Sequence, residues 1–294
     1  MIEALQFEFF RNACIAGLLA SVICGVIGTL IVVNRLVFLS GGVAHSAYGG
    51  IGLAFFMGWP YMLGATSFAF VSSMVMAAVS IRKKQRADTI IGVMWAVGMA
   101  TGILLLDLTP GYNVDLMSYL FGSILSVPFS DLLAMGGVTG IILLTILLFY
   151  DDLLIMSYDE EFAKVQGVAV SRLYFMLIGL IAITVVVLVQ VAGLILVIAL
   201  LSIPPYIAEK YTRSLLAMML VSSLLGAVFI FLGLWAAYRF DLTSGASIIL
   251  VAGCGFFVSF LMDLFIGLRR KRLWLKLHMK DMPEKGLNDP SVSH

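Results

Sequence analysis

Nine stretches of this chain are apolar for about the length that crosses a bilayer, and that leaves few folds open. A helix rises about 1.5 Å per residue, so roughly 20 apolar residues span a hydrocarbon core of about 30 Å. The stretches lie at 12–33, 42–58, 61–81, 88–107, 131–150, 173–190, 192–209, 214–237 and 246–267. In lipid every backbone donor and acceptor must be satisfied internally, which helices do. The expected fold class is therefore all-α: a polytopic membrane protein with about nine transmembrane helices. Composition agrees, with 62% hydrophobic and 12% charged residues against roughly 45–50% and 25% in soluble chains. Soluble, disordered, secreted mini-protein and nucleic-acid-binding classes are excluded. No cleavable leader is expected, because the first apolar run follows Glu3 and Glu8 in place of a basic head.

Lysine and arginine set the expected orientation, since they accumulate in cytoplasmic loops. With Arg82, Lys83, Lys84 and Arg86 inside and nine spans alternating, 16 of the 18 basic residues fall on the cytoplasmic side. Only Arg11 and Arg239 fall outside. The N-terminus is thus expected out and the C-terminus in. Trp59, Tyr61, Trp235 and Tyr238 then belong to the outer aromatic belt, and Tyr150, Tyr174, Tyr206 and Tyr211 to the inner one. The outer face gathers Glu3, Glu8, Asp107, Asp115, Asp131 and Asp241, and a negative mouth concentrates cations. Ser130-Asp131 reads as a helix N-cap. Residues 1–268 form the membrane domain, and 269–294 a basic, then polar, cytoplasmic tail. The piece 114–127, between Pro110 and Pro128, reads as a short re-entrant or surface helix.

His45 is the one histidine inside a span, about 15 Å from the inner end. An ionisable group at that depth is a functional candidate. Gly42, His45, Gly49 and Gly52 recur at intervals of three, four and three, so they share one helix face, with Gly41 beside it. Two readings stand side by side. The glycines let helices pack closely, or they clear a path past an imidazole suited to zinc, manganese or iron. Residues 151–172 interrupt the apolar pattern, and within them 157–167 reads as a short helix: Ser157 and Glu160 fit a capping box, and Gly167 suits a helix end. Asp159, Glu160, Glu161 and Phe162 lie on that short cytoplasmic helix, which suggests docking to another protein. Pro204-Pro205 are expected to end or unwind their helix. The cysteines (Cys14, Cys24, Cys254) and the 16 scattered methionines read as packing residues. The sequence has no G-x-x-x-x-G-K-[ST], H-E-x-x-H or G-x-S-x-G, so a chemical enzyme is not expected.

Four stretches together resemble the ABC-3 family, the membrane permeases of zinc/manganese/iron ABC importers. They are RLVFL at 35–39 with AHSA at 44–47, ADTIIG at 87–92 with VDLMSYLFG at 114–122, GLILVIALLSIP at 193–204, and DLTSG at 241–245. The resemblance covers about residues 8–265. It implies a permease subunit in the inner membrane of a bacterium, working as a homodimer by alternating access. Its partners would be two copies of a cytoplasmic ATPase, which hydrolyse ATP, and a periplasmic or lipoprotein metal-binding protein. No cofactor is held permanently, and the divalent metal (zinc first, then manganese or iron) is cargo. Residues 157–167 become the coupling helix, and His45, Asp107, Asp115 and Asp241 the candidate metal ligands. The family often carries an aspartate where this chain has Gly41, so its Asp–His pair is incomplete here. Thr243 replaces a usual proline and Glu209 a common arginine. The competing readings are a secondary metal transporter or channel, and an ABC permease for a siderophore or cobalamin.

Overall fold

The computed structural model describes residues 7–82, 86–109, 122 and 124–280. Among them the chain is helical throughout. The helices are α1 (Glu8–Val33), α2 (Val37–Met57), α3 (Tyr61–Arg82), α4 (Ala87–Asp107), α5 (Phe129–Leu148), α6 (Tyr150–Tyr158), α7 (Glu160–Val165), α8 (Val170–Ala192), α9 (Leu194–Tyr211), α10 (Leu215–Phe240) and α11 (Ser244–Lys280). A 3₁₀ turn, Ile124–Ser126, precedes α5. Eight of these helices are long and apolar enough to cross a membrane. The ninth expected span, α2, has the length at 21 residues, but its glycines, serines and His45 dilute its apolarity. Residues up to 253 form one compact unit. The second unit begins at Cys254 and is helical to Lys280 among its described residues.

Helix ends in the first unit fall into two groups that the side chains tie together. At one end Gln190 Nε2, near the end of α8, donates to Tyr61 Oη (2.9 Å) at the start of α3 and to Asp131 Oδ2 (3.3 Å) at the start of α5. Phe10 of α1 meets Tyr238 of α10 there, ring centroids 5.8 Å apart. At the other end Asn34 Nδ2 donates to Ser157 Oγ (2.9 Å), and the Leu216 amide donates to Tyr150 Oη (3.1 Å). Successive long helices therefore run in alternating directions. Arg35, Arg86, Lys164, Arg172, Lys210 and Arg213 all belong to the second end.

The packing is close because small residues meet across it. A Cβ on Gly49 would lie 2.8 Å from the Gly98 carbonyl oxygen, and one on Gly52 would run into the Gly102 backbone. Gly98 and Gly102 form a G-x-x-x-G on α4, a pattern that lets two helix backbones approach. These pairs set α2 and α4 side by side and parallel. On α5 the glycines Gly136, Gly137 and Gly140 have open space where a Cβ would go. Gly52→Val is accordingly expected to cost about 3 kcal/mol, since the obstacle is backbone and cannot swing aside. Gly136→Ala should change little. Thermal unfolding of the detergent-solubilised protein checks the contrast.

Several expectations need correction. Ser157 does not cap α7: it is still inside α6, with its hydroxyl engaged by Asn34. Asp159 is the cap, its Oδ1 accepting from the Phe162 amide at 2.9 Å, where a carboxylate also suits the positive end of the helix. Ser130 and Asp131 do not cap α5 either. The helix already starts at Phe129 behind Pro128, and Asp131 in its first turn serves Gln190 instead. Pro204 and Pro205 do not end α9, which continues to Tyr211. Pro205 removes the donor that would meet the Leu201 carbonyl, and α1 closes over that oxygen at Gly28, whose Cβ would lie 2.7 Å from it. The break comes earlier, at Gly193 (φ 82°), between α8 and α9. Cys24 is buried as expected, but Cys254 is exposed. Most of the expected re-entrant piece 114–127 lies outside the described residues, as does 281–294.

Candidate transport site

His45 sits eight residues into α2, about 12 Å from its start. It is half-buried. Its Nδ1 is 3.0 Å from the Gly41 carbonyl oxygen one turn back. A carbonyl only accepts, so Nδ1 carries the proton and, in the neutral ring, the lone pair is on Nε2. That is the tautomer an imidazole needs to take a metal ion through Nε2. Across from it stands Trp95 of α4, with ring centroids 3.9 Å apart and planes inclined by 33°.

Of the two uses the sequence leaves open for the glycine strip, close helix packing is the one its contacts support. Gly42 faces Ile91 (2.5 Å from a Cβ position), Gly49 faces Gly98 and Gly52 faces Gly102. The strip is filled by α4, because a helix without Cβ atoms invites another backbone. Gly41 is the exception. A Cβ there would have Trp95 Cζ3 at 3.7 Å and Ile198 Cδ1 at 4.0 Å, which is ordinary contact.

Of the four expected metal ligands, the three among the described residues are not gathered. Asp107 ends α4, twelve residues beyond Trp95 and so about 18 Å along the helix from His45's partner. Asp241 caps α10 in a left-handed conformation (φ 54°), near the Phe10–Tyr238 pair. Asp115 lies outside the described residues. Among the described residues no three His, Cys, Asp or Glu side chains are placed to share an ion. The reason is geometric: Asp107 and Asp241 sit at helix ends, while the imidazole is within α2.

At the other end, α7 presents a surface. Ala163 is buried, while Phe162 and Val165 are 50% and 85% exposed, with Tyr158 beside them at 65%. Glu160 and Lys164 pair at 2.8 Å along the helix. The helix closes with two bonds, Gly167 N to Lys164 O and Val168 N to Ala163 O, a Schellman end with Gly167 at φ 85°. Gly167 therefore ends α7 as the sequence predicts. Behind α7 lies a cavity of about 710 Å³ lined by Arg35, Ser80, Asp88, Glu160, Lys164 and Tyr174, among others. Two of the motif stretches, through Arg35 and Asp88, thus share a cavity with the short helix. Sequence reasoning missed Trp95, Asn34 and Gln190. Trp95 had one readable signal, its place in α4 three residues before the first glycine of the G-x-x-x-G.

This geometry defines a multi-pass α-helical membrane protein with an imidazole within α2 and a short helix, α7, that exposes Phe162 and Val165. The model of the ABC 3 transport family matches residues 6–263, and the chain belongs to that family. It is 50% identical over 259 residues to the uncharacterized membrane protein slr2045 of Synechocystis, covering 88% of this chain and 92% of that one. It is 32% identical to the manganese import system permease protein ScaB of Streptococcus gordonii, covering 87% and 91%. Among solved structures, PsaBC from Streptococcus pneumoniae in complex with Fab matches with a TM-score of 0.79 and 33% identity, over 88% of this chain and 94% of that one.

Proposed function

We propose that this chain is the membrane-spanning subunit of an ATP-driven importer of a divalent transition metal. The observation that carries the reading is His45: an imidazole within a span, its Nδ1 bound to Gly41, in a chain of the ABC 3 transport family. The names of relatives such as ScaB support metal as the cargo. Zinc and manganese are the first two cations to test, and iron the third. Nine spans are proposed, with α2 as the one that composition alone undervalues. The end that carries Arg35, Lys164 and Arg213 faces the cytoplasm. The end that carries Asp107, Asp131 and Asp241 faces out and draws cations toward the mouth.

In this reading, metal delivered by an external binding protein sheds part of its water shell and crosses on Nε2 of His45. One imidazole with water binds weakly enough to release, which four protein ligands would not. ATP is hydrolysed on a separate ATPase chain seated on Phe162 and Val165 of α7, and two permeases pair around the passage. Closure of the ATPases moves α7 and, through the cavity behind it, the starts of α2 and α4. Reconstitution with the ATPase and binding protein in proteoliposomes tests the reading. ATP-dependent uptake of zinc or manganese is the expected result. Uptake driven by an ion gradient without ATP would overturn it.

A further inference from the structure

We propose that Trp95 forms the second wall of the transit site and sets its preference among cations, favouring zinc over manganese. The inference rests on the transport reading of His45 given above. Phe38, Gly41 and His45 fall at i, i+3 and i+7, so they line one face of α2. Trp95 lies over the gap that Gly41 leaves between them. Its ring centroid is 5.8 Å from that of Phe38 and 3.9 Å from that of His45. A Cβ at position 41 would fit, at 3.7 Å from the indole and 4.0 Å from Ile198. A carboxylate would find itself between an aromatic ring and an isoleucine methyl, where an unpaired charge is costly. Glycine at 41 and tryptophan at 95 are thus a matched pair: the indole fills the volume that an acidic ligand would otherwise take.

The consequence is chemical. The stack and the Nδ1 bond to Gly41 together fix the imidazole plane, as outer-sphere partners of metal-binding histidines do. A passing ion meets one nitrogen ligand, water and the face of an indole, which attracts cations. Imidazole suits zinc, while carboxylate and water suit manganese. With glycine at 41 the imidazole has no carboxylate one turn back on its own helix, which tilts the site toward zinc.

Equilibrium binding of radioactive zinc and manganese to the solubilised permease–ATPase complex, without the external binding protein, reads that ratio on the permease itself. The zinc-over-manganese ratio of the unaltered complex should fall about tenfold in the double variant Gly41→Asp/Trp95→Ala, a change of the size seen when partners of metal ligands are altered. Trp95→Phe, which keeps a ring over His45, should preserve it. A second measurement leaves the pair intact. With Trp59, Trp235 and Trp274 replaced by Phe, Trp95 is the one remaining tryptophan. Cobalt(II), a zinc surrogate that quenches indole emission, should quench it saturably, and not when His45→Ala is added. An unchanged ratio in the double variant, or Trp95 emission indifferent to cobalt in a complex that still transports, would overturn the role of Trp95 and leave the transport reading standing. Failure of the unaltered complex to transport zinc, manganese or iron would remove both.

Discussion

His45→Ala is expected to lower metal uptake by about 100-fold or more while the permease assembles normally. His45 supplies the nitrogen ligand of the proposed site, and among the described residues no three His, Cys, Asp or Glu side chains are placed to share an ion in its stead. Loss of a partner that merely orients a ligand already costs 10–100-fold in metal affinity, so loss of the ligand sets the upper end as a floor. The fold should survive the change. The ring is half-buried and its hydrogen bond to Gly41 is an accessory to a carbonyl already within the helix. Uptake in proteoliposomes, with ATPase content and thermal unfolding as controls, separates the two effects. His45→Gln, which keeps bulk without an imidazole, should fail equally. Normal uptake by either variant would take His45 out of the transport path.

Phe162→Asp is expected to weaken binding of the ATPase subunit by about 30-fold, or about 2 kcal/mol, the size of a central interface anchor. Phe162 and Val165 project from a helix whose opposite side is fixed through the buried Ala163. The Asp159 cap and the Schellman end at Gly167 hold the helix whatever stands at 162. The substitution therefore alters the surface and leaves its support in place. Glu161→Arg tests the charge of the same surface: it should lower transport-coupled ATP hydrolysis with the ATPase still bound. Co-purification and ATPase assays read the two outcomes. Retention of full affinity by Phe162→Asp would place the docking surface elsewhere.

Eight of the nine expected spans were legible because their signal is local. Each needs only about 20 apolar residues in a row, and the expected limits differ from the helices mainly at their ends. Gly167 was legible for the same reason, since a helix end is set within a few residues. What failed depended on distant partners. Ser157 looks like a cap until Asn34, 123 positions away, takes its hydroxyl. Asp131 looks like a cap until Gln190 reaches it across 59 positions. The glycine face on α2 was visible as a face, but whether it lines a path or meets a helix depended on Gly98 and Gly102 of α4. Trp95 had a position readable beside the G-x-x-x-G, but its partner was not, because a tryptophan in an apolar run has the same pattern whether it meets lipid or an imidazole. Asp107 and Asp241 stand at helix ends and Asp131 in a first turn, yet a shared end of the bundle is not a shared coordination sphere.

The most direct measurement is X-ray absorption at the zinc edge on the metal-loaded permease–ATPase complex, held with a non-hydrolysable ATP analogue. A single imidazole in the zinc shell, completed by oxygen ligands and lost in His45→Ala, is the predicted spectrum. A shell free of imidazole, or an imidazole signal that persists in His45→Ala, would contradict the claim that the metal crosses on His45.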